Sequence, residues 1–397
     1  MRETSTSLIH HPYKPPGGFE AIPPAVYKAS TIVFPSVAAL RTRDWKHKTG
    51  YTYGLHGTPT TFTLEERVAT LEGGKHCTLV PSGLAAVVLV GMALLQAGDE
   101  VLIPDNAYGP NKAFAEGELA GWGVTHQFYD PMDPADLAAR LNARTRLVWL
   151  EAPGSITLEF PDLPKLVEVV NAHAGAHPKG IVTALDNTWG AGIAFNAFKL
   201  GVDISAHALT KYPSGGADVL MGSVVTNSEA LHLLVHFCHM RVGFGVSGND
   251  AELVLRGLNS IALRYAAQDS ATRELAGWMR LQPQIAMVLH PALEGSPGHE
   301  TWKRDCTGAA CLFSVVFQPG YNQDQIDGFC DRLALFQIGY SWAGPMSLCV
   351  PYDIPSIRAT PWPHKGGLVR FSIGLEAVSD LRQDLAQSLA GMHYSKA

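Results

Sequence analysis

Apolar positions along the middle of the chain follow two spacings, one helical and one typical of strands. Residues 61–73 carry apolar side chains at helical spacing, and a Gly-Gly pair ends the run. The apolar run 77–80 predicts a strand, which a Pro-Ser-Gly turn joins to an apolar helix over 84–96. The same reasoning predicts a helix over 161–174 and strands over 100–104, 146–153, 180–187, 203–210 and 222–227.

These predicted strands are almost continuously apolar, which is typical of strands that helices cover on both faces. They alternate with helices through short loops across about residues 60–250. Such alternation predicts an α/β fold with a mostly parallel sheet.

The pattern changes after about residue 250. Residues 250–279 predict one long helix, and a stretch rich in Pro and Gly follows. Strand-like segments at 312–317, 333–342 and 367–374 are far apart, which suits a smaller α+β domain. We therefore predict an N-terminal arm over 1–60, a cofactor-binding α/β domain over 61–255 and a C-terminal α+β domain over 256–397.

Composition excludes several classes of protein. Only 17% of the 397 residues are charged and 46% are hydrophobic, so the chain has enough apolar surface for a large core and is not disordered. A formal net charge of −6 without a basic run argues against a nucleic-acid partner. The apolar run 84–95 is too short to cross a bilayer, and the N-terminus does not resemble a signal peptide. Six cysteines without a C-x-x-C pair predict reduced thiols in a cytoplasmic protein.

Two sequence patterns are weak signals of function. Gly243–Gly248 spells G-x-G-x-x-G, but it follows a segment with helical character, so we predict a loop rather than the nucleotide site of an oxidoreductase. His232 and His236 are four residues apart, with Cys238 and His239 close by. No further ligand set joins them, so we favour a histidine-rich helix and predict no metal.

Stronger candidates lie where predicted strands end. A strand-to-helix turn at Gly83 offers free N–H groups to a phosphate, Asp186 ends a strand with a carboxylate, and Lys211 follows another strand. Each alone has an ordinary alternative: a tight turn, a helix cap and a surface lysine. Ligands of open parallel sheets bind at the carboxyl ends of the strands, where all three would meet. Pyridoxal 5′-phosphate (PLP) requires this combination, and Tyr108 on the same edge is placed to stack on its ring.

The motifs around these residues resemble a known family. The chain is similar to the Cys/Met-metabolism family of PLP-dependent enzymes from residue 23 to the C-terminus, and the resemblance implies the aspartate-aminotransferase-like fold type I. Segments 290–314 and 338–348 resemble the cystathionine β-lyase branch most. The matching motifs lie at 53–74, 81–86, 105–110, 186–192, 210–222 and 369–376.

The resemblance implies a role for each matching residue. Lys211 binds PLP covalently and moves the proton between Cα and the leaving sulfur, Asp186 pairs with the pyridine nitrogen, and Tyr108 stacks on the ring. The phosphate ligands are implied to be the amides of Gly83 and Leu84 and the hydroxyl of Thr210.

Further implied roles concern the substrate and a second subunit. Arg370 binds the substrate α-carboxylate, and Ser341 and Trp342 line the substrate side. Tyr53 reaches the site from a neighbouring subunit as a cofactor-binding and catalytic residue, which implies a homo-oligomer, usually a dimer of dimers. Alternatives remain: Arg370 as an outward-facing charge, and Tyr53 or Trp342 as packing aromatics.

The implied activity is that of a carbon–sulfur lyase of methionine metabolism, which cleaves L-cystathionine by α,β-elimination to homocysteine, pyruvate and ammonia. A γ-lyase, γ-synthase or cysteine-S-conjugate lyase of the same family is the near alternative. A catalytically silent PLP-binding protein is the remote one, because Leu55 and Ala208 stand where relatives carry phosphate-binding Arg and Ser.

Overall fold

The computed structural model describes residues 3–10, 17–18 and 20–392. Residues 1–2, 11–16 and 19 of the predicted arm, and 393–397 of the predicted C-terminal domain, lie outside the described residues. Two β-sheets organise the described chain, one of seven strands and one of five.

The helices and strands follow in chain order. The α-helices are α1 Thr4–Ile9, α2 Val37–Arg41, α3 Pro59–Glu72, α4 Gly83–Leu94, α5 Gly109–Phe114, α6 Pro134–Arg140, α7 Leu163–Ala172, α8 Glu229–Val242, α9 Gly248–Leu258, α10 Ile261–Met279, α11 His299–Asp305, α12 Gln323–Asp331 and α13 Val378–Ala390. The strands are β1 His76–Val80, β2 Glu100–Pro104, β3 Thr125–Tyr129, β4 Thr145–Glu151, β5 Val182–Asp186, β6 Ile204–His207, β7 Gly222–Thr226, β8 Ile285–Leu289, β9 Leu312–Phe317, β10 Gln337–Ile338, β11 Leu348–Tyr352 and β12 Leu368–Ser372. Short 3₁₀ turns span Gly54–His56, Ala197–Leu200 and Ile354–Ser356, and a π-helical turn spans Ala115–Leu119.

The seven-stranded sheet has the order β1-β7-β6-β5-β4-β2-β3. Its strands are parallel except β7, which runs antiparallel to β1 and β6. The predicted mostly parallel sheet is confirmed. Because β4, β5 and β6 run in the same direction, Glu151, Asp186 and the segment after His207 meet at one edge.

Helix α3 shows how local sequence sets the ends of an element. The Thr58 side chain accepts a hydrogen bond from the Thr61 amide, and the Thr61 hydroxyl accepts one from the Thr58 amide, which caps the first turn. Pro59 occupies the first turn, where a missing N–H costs little. At the other end Gly73 adopts a left-handed conformation with φ 74° and terminates the helix. The helix therefore begins two residues before the predicted one.

The predicted single helix over 250–279 is wrong, because α9 and α10 are separate. The chain breaks at Asn259 and Ser260, close to the loop that follows Lys211. A Cβ on Gly257 would lie 2.1 Å from the Pro213 carbonyl oxygen, so only a glycine permits this approach. Arg264 then donates to the Tyr212 and Gly257 carbonyls at 2.7 and 2.8 Å. The region between α9 and α10 therefore packs against the loop that follows Lys211 and supports it.

The predicted strand over 333–342 is also largely wrong, since only Gln337–Ile338 pairs with β11. Strands β3, β8 and β11 were not predicted. β8, β9, β11 and β12 are antiparallel neighbours in the five-stranded sheet, so this sheet is built from segments far apart along the chain. The predicted boundary between residues 255 and 256 falls inside α9 and remains a prediction.

The two weak sequence patterns have structural explanations. Gly243–Gly248 connects α8 to α9 and does not follow a strand, as predicted. His232, His236 and His239 lie on α8 with buried, successively stacked rings. Among the described residues, no group of three or more His, Cys, Asp or Glu is arranged to hold a metal ion. No helix in the described ranges is long and apolar enough to span a membrane.

Candidate active site

A cavity of about 580 Å³ opens at the carboxyl edge of the seven-stranded sheet. This volume suits a small-molecule site. Nine of the ten predicted site residues line it: Gly83, Leu84, Tyr108, Asp186, Thr210, Lys211, Ser341, Trp342 and Arg370. Tyr53 does not line the cavity of its own chain.

Lys211 lies four residues beyond the end of β6, with its amine inside the cavity. Its Nζ donates to Ser341 Oγ at 2.8 Å and lies 5.3 Å from the centre of the Trp342 ring. Burial, and next the positive charge of Arg370, lower the pKa of Lys211 to about 8. A substantial fraction of this amine is therefore unprotonated near neutral pH, as a nucleophile or base requires.

Asp186 is the last residue of β5, and its carboxylate faces the same cavity. The Thr188 amide and hydroxyl both donate to Oδ1, the amide at 3.0 Å, which fixes the rotamer. Burial raises the pKa of Asp186, while the Thr188 hydrogen bonds and the charges of His207 and Lys211 oppose that effect. The pKa is raised overall, so these hydrogen bonds and charges only partly offset the cost of burying the carboxylate.

The N-terminus of α4 forms the far end of the cavity. Ser82 caps the helix by accepting a hydrogen bond from the Ala85 amide at 3.0 Å. The amides of Gly83 and Leu84 precede the first intrahelical hydrogen bond and are available to an anion. A Cβ on Gly83 would lie 2.5 Å from the Cβ of Ala208, so the glycine allows the helix to reach the segment before Lys211.

Thr210 lines the cavity with its hydroxyl already engaged. The hydroxyl donates to the Met221 carbonyl at 3.2 Å and accepts from the Met221 amide at 3.1 Å. Binding a phosphate oxygen through the Thr210 proton therefore requires the hydroxyl to rotate away from Met221.

Tyr108 and an unpredicted carboxylate, Glu151, lie next to Asp186. The Tyr108 amide donates to Glu151 Oε2 at 2.8 Å, and Glu151 is the residue opposite Asp186 in the β4–β5 register. Burial, and then the charge of Asp186, raise the pKa of Glu151 well above its usual range. Its position at the end of an apolar strand was the signal that could have identified it.

Arg370 projects from β12 into the cavity and is 5% exposed. Its guanidinium donates to the Ser155 carbonyl at 2.9 Å and to the Tyr340 carbonyl at 2.8 Å, and it lies 5.3 Å from the centre of the Tyr352 ring. Arg370 is not the outward-facing charge of the alternative interpretation. These contacts hold the guanidinium as a buried positive charge near Lys211. A guanidinium in this position is suited to bind a carboxylate group of a ligand.

A segment after β11 closes one side of the cavity and was also not predicted. Asp105 accepts hydrogen bonds from the amides of Ala359 and Thr360, and Lys112 donates to the Ile357 carbonyl at 2.8 Å. Arg358 pairs with Glu159 at 3.0 Å. These contacts bind the segment to the first sheet through residues about 200 or more positions away.

Tyr53 is 47% exposed, and its backbone forms an isolated antiparallel β-bridge with Thr31 in the arm. Next to it, Leu55 replaces the arginine of the family pattern, and His56 bonds to Thr52 at 2.7 Å. Burial, followed by the charge of Arg43, lowers the pKa of His56, so it is a weaker cation than arginine.

Comparisons with known proteins connect this chain to one enzyme family. The model of the Cys/Met metabolism PLP-dependent enzyme family matches residues 5–390. A putative cystathionine beta-lyase of Rhizobium johnstonii is 38% identical over 394 residues, covering 97% of this chain and 96% of the relative. Cystathionine beta-lyase MetC of Escherichia coli is 38% identical over 375 residues, covering 93% of this chain and 94% of the relative.

A solved structure, metB from Corynebacterium glutamicum, has a TM-score of 0.89 and 28% identity and covers 99% of both chains. The predicted family, fold type I and PLP as the cofactor are confirmed, and the relatives agree with the predicted carbon–sulfur lyase class. The family match, the shared fold and the strand-end site place this chain in the Cys/Met metabolism PLP-dependent enzyme family.

Proposed function

We propose that the protein is a PLP-dependent carbon–sulfur lyase that cleaves L-cystathionine and water into homocysteine, pyruvate and ammonia. The observation that carries the proposal is that the Lys211 amine shares one cavity with the carboxylate of Asp186 and the guanidinium of Arg370, both of which act on its charge. The names of the relatives support cystathionine as the substrate.

The residues of the cavity fit the cofactor. The N-terminus of α4 approaches Ala208 so closely that position 83 has no room for a side chain. The amides of Gly83 and Leu84 at this helix end are free to bind a phosphate. Asp186 would hold the pyridine nitrogen, Tyr108 would stack on the ring, and Lys211 would bind covalently. When bound, PLP supplies an aldehyde for the substrate amine and a ring that withdraws electrons from Cα.

Lys211 Nζ performs the proton transfers. With a pKa of about 8, it removes the Cα proton of the substrate and then delivers a proton to the sulfur as the β C–S bond breaks. Ser341 Oγ, 2.8 Å away, accepts from Nζ and keeps the amine aimed into the cavity.

Arg370 orients the substrate. Its two carbonyl contacts hold the guanidinium in place, so it can bind the α-carboxylate without reorganising. A fixed carboxylate limits rotation about Cα and presents the proton to Lys211. The centre of the Trp342 ring lies 5.3 Å from the amine, and the ring, with the segment after β11, would shield it from water.

We further propose that Tyr53 completes the cavity of a second copy in a homotetramer, a dimer of dimers. Tyr53 is exposed in its own chain and lies apart from its own cavity, which supports a role in a neighbouring one. The six cysteines are free, which supports a cytoplasmic enzyme.

The test is product analysis with purified holoenzyme and L-cystathionine. Pyruvate and free thiol in equal amounts are the expected result. If 2-oxobutyrate forms instead, the reaction is γ-elimination, and if neither oxoacid forms, a replacement enzyme or a silent PLP-binding protein is the better interpretation. L-Cysteine conjugates in parallel assays identify a conjugate lyase by a higher kcat/KM than cystathionine.

A further inference from the structure

A second arginine lines the cavity. Arg358 lies in the segment after β11, and its side chain is 9% exposed. Its Nη1 donates to Glu159 Oε1 at 3.0 Å, and its Nε donates to Thr360 Oγ1 at 2.9 Å. The guanidinium also lies 5.5 Å from the centre of the Trp362 ring. These three contacts fix the position and the plane of the guanidinium.

The third nitrogen of this guanidinium, Nη2, is available to a ligand. Nη2 makes no hydrogen bond within the described part of the chain, and it is not one of the fully buried polar atoms that lack a partner. Because Arg358 lines the cavity, the accessible nitrogen belongs to a side chain that a ligand in the cavity can reach. A carboxylate is the acceptor that binds a fixed guanidinium most strongly.

The ion pair with Glu159 leaves room for a second carboxylate. Glu159 Oε2 accepts hydrogen bonds from Asn106 Nδ2 at 2.7 Å and from Thr157 Oγ1 at 2.8 Å, so Arg358 contacts only Oε1. Arg358 therefore binds Glu159 through one N–H group rather than through two parallel ones. A guanidinium has five N–H donors, so Arg358 can bind another carboxylate while it stays paired with Glu159.

Arg358 and Arg370 are attached to the same short turn after β4. The Gly154 amide donates to the Glu159 carbonyl at 3.0 Å, which brings the two ends of this turn together. Arg370 donates to the Ser155 carbonyl in the turn, and Arg358 pairs with the Glu159 side chain at its end. One turn therefore holds two guanidinium groups, which come from different segments, at the wall of one cavity.

We propose that Arg358 is a specificity-determining residue that binds a second carboxylate of the substrate, on the far side of the sulfur from the α-carboxylate at Arg370. The substrate class is then the thioether amino acids that carry a carboxylate at both ends, to which L-cystathionine belongs. The inference rests on the proposed lyase function and adds to it the contact by which the enzyme selects its substrate.

The test compares three thioethers with purified holoenzyme. L-Cystathionine has a distal carboxylate and a distal amine, S-(3-carboxypropyl)-L-cysteine keeps the carboxylate and lacks the amine, and S-propyl-L-cysteine lacks both. In wild type we expect kcat/KM, measured by pyruvate release, to be at least about tenfold higher for S-(3-carboxypropyl)-L-cysteine than for S-propyl-L-cysteine. This ratio is the contribution expected of one hydrogen bond between charged groups.

Arg358→Gln should remove this preference. The kcat/KM for the two thioethers with a distal carboxylate should fall about ten- to a hundredfold, mainly through KM, and that for S-propyl-L-cysteine should stay within about twofold. Arg358→Lys keeps a positive charge without the planar guanidinium and should recover part of the preference. Arg304→Gln is the matched control, because Arg304 pairs with Asp162 away from the cavity, and it should leave the preference unchanged.

The possible outcomes separate the proposal from its alternatives. Lack of the preference in wild type would overturn it without any variant. In Arg358→Gln, an equal loss for all three thioethers would mean that Arg358 only supports the segment, and an unchanged preference would mean that it does not contact substrate. If Arg358→Gln does not fold, Arg358→Lys decides, and the full wild-type preference in that variant overturns the proposal. Wild type that releases pyruvate from none of the three contradicts the proposed lyase function itself, which differs from an active enzyme without a preference.

Discussion

The two sides of the cavity are built in different ways. On the sheet side, Asp186 ends β5 and Lys211 follows the neighbouring parallel strand β6. Hydrogen bonds between the adjacent strand ends hold these segments, such as that from the Ala208 amide to Thr188 Oγ1 at 3.0 Å. On the other side, Arg370 comes from the second sheet and bonds to Ser155, 215 residues away.

The difference separates two tasks. In the proposed function, the sheet side would bind the cofactor and needs only local strand geometry, whereas the second side would receive the substrate and depends on packing between distant segments. Changes on the sheet side should therefore alter cofactor binding and chemistry together. Changes on the second side should alter substrate binding while PLP remains bound.

The largest effect is expected for Lys211→Ala. This change removes both the covalent link to PLP and the proton carrier, so turnover should fall at least about 10³-fold. The visible absorbance of lysine-bound PLP should also be lost, and both are read on the purified protein. Lys199→Ala, at an exposed lysine, is the control. Normal absorbance and turnover in Lys211→Ala would show that the site is wrongly assigned.

Arg370→Lys tests the second side alone. Lysine cannot reproduce two parallel N–H donors, so kcat/KM for cystathionine should fall about ten- to a hundredfold, mainly through KM. PLP affinity, measured by titrating apoprotein, should stay within about twofold. Arg382→Lys, on an exposed helix position, should change neither. If Arg370→Lys loses PLP, the two sides are not separable.

The pH dependence of cofactor loading tests coupling between the sides. Lys211 attacks PLP only when unprotonated, so loading of apoprotein should slow about tenfold per pH unit below a pKa of about 8 and level off above it. Burial of the amine lowers this pKa most, Arg370 lowers it further, and Cys311 and Asp186 raise it.

Arg370→Gln removes a positive neighbour, so the loading profile should move to higher pH. Reaction of PLP with a free lysine derivative corrects for titration of PLP itself. A profile that stays in place, or moves to lower pH, would contradict electrostatic coupling across the cavity.

The smallest effect is expected for Ser341→Ala. It removes one hydrogen bond to Lys211 Nζ, worth about 0.5–1.5 kcal/mol, so kcat should fall by no more than about tenfold. Ser341→Thr retains a hydroxyl and should recover most of the activity. Equal losses in both variants would mean that shape at this position matters more than the hydrogen bond.

The sheet side was largely predictable from the sequence. Asp186 and Lys211 were expected at one edge because parallel strands place their carboxyl ends together, and the apolar runs that mark those strands are continuous. Gly83 was expected there because a glycine in a strand-to-helix turn leaves backbone amides free. Glu151 ends its strand in the same way and was missed only because nothing else in the sequence distinguished it.

Contacts between distant segments could not be predicted in the same way. The α9–α10 break depends on Gly257 meeting the loop after Lys211, and the edge segment at Ala359 depends on Asp105. The pairing of Glu72 with His207 joins a helix end to a strand end 135 residues later. No local periodicity encodes such pairs.

Local pattern was thus sufficient for the sheet type and for the position of Asp186 and Lys211 at the strand ends, because strands, turns and caps are set by interactions over a few residues. The motifs were sufficient for the family. Tertiary packing decided how Arg370 reaches Lys211, which carboxylates are buried together and where the imidazole of His207 lies. Burial and electrostatic effects depend on what surrounds a side chain in space, and that environment exists only once the two sheets have packed.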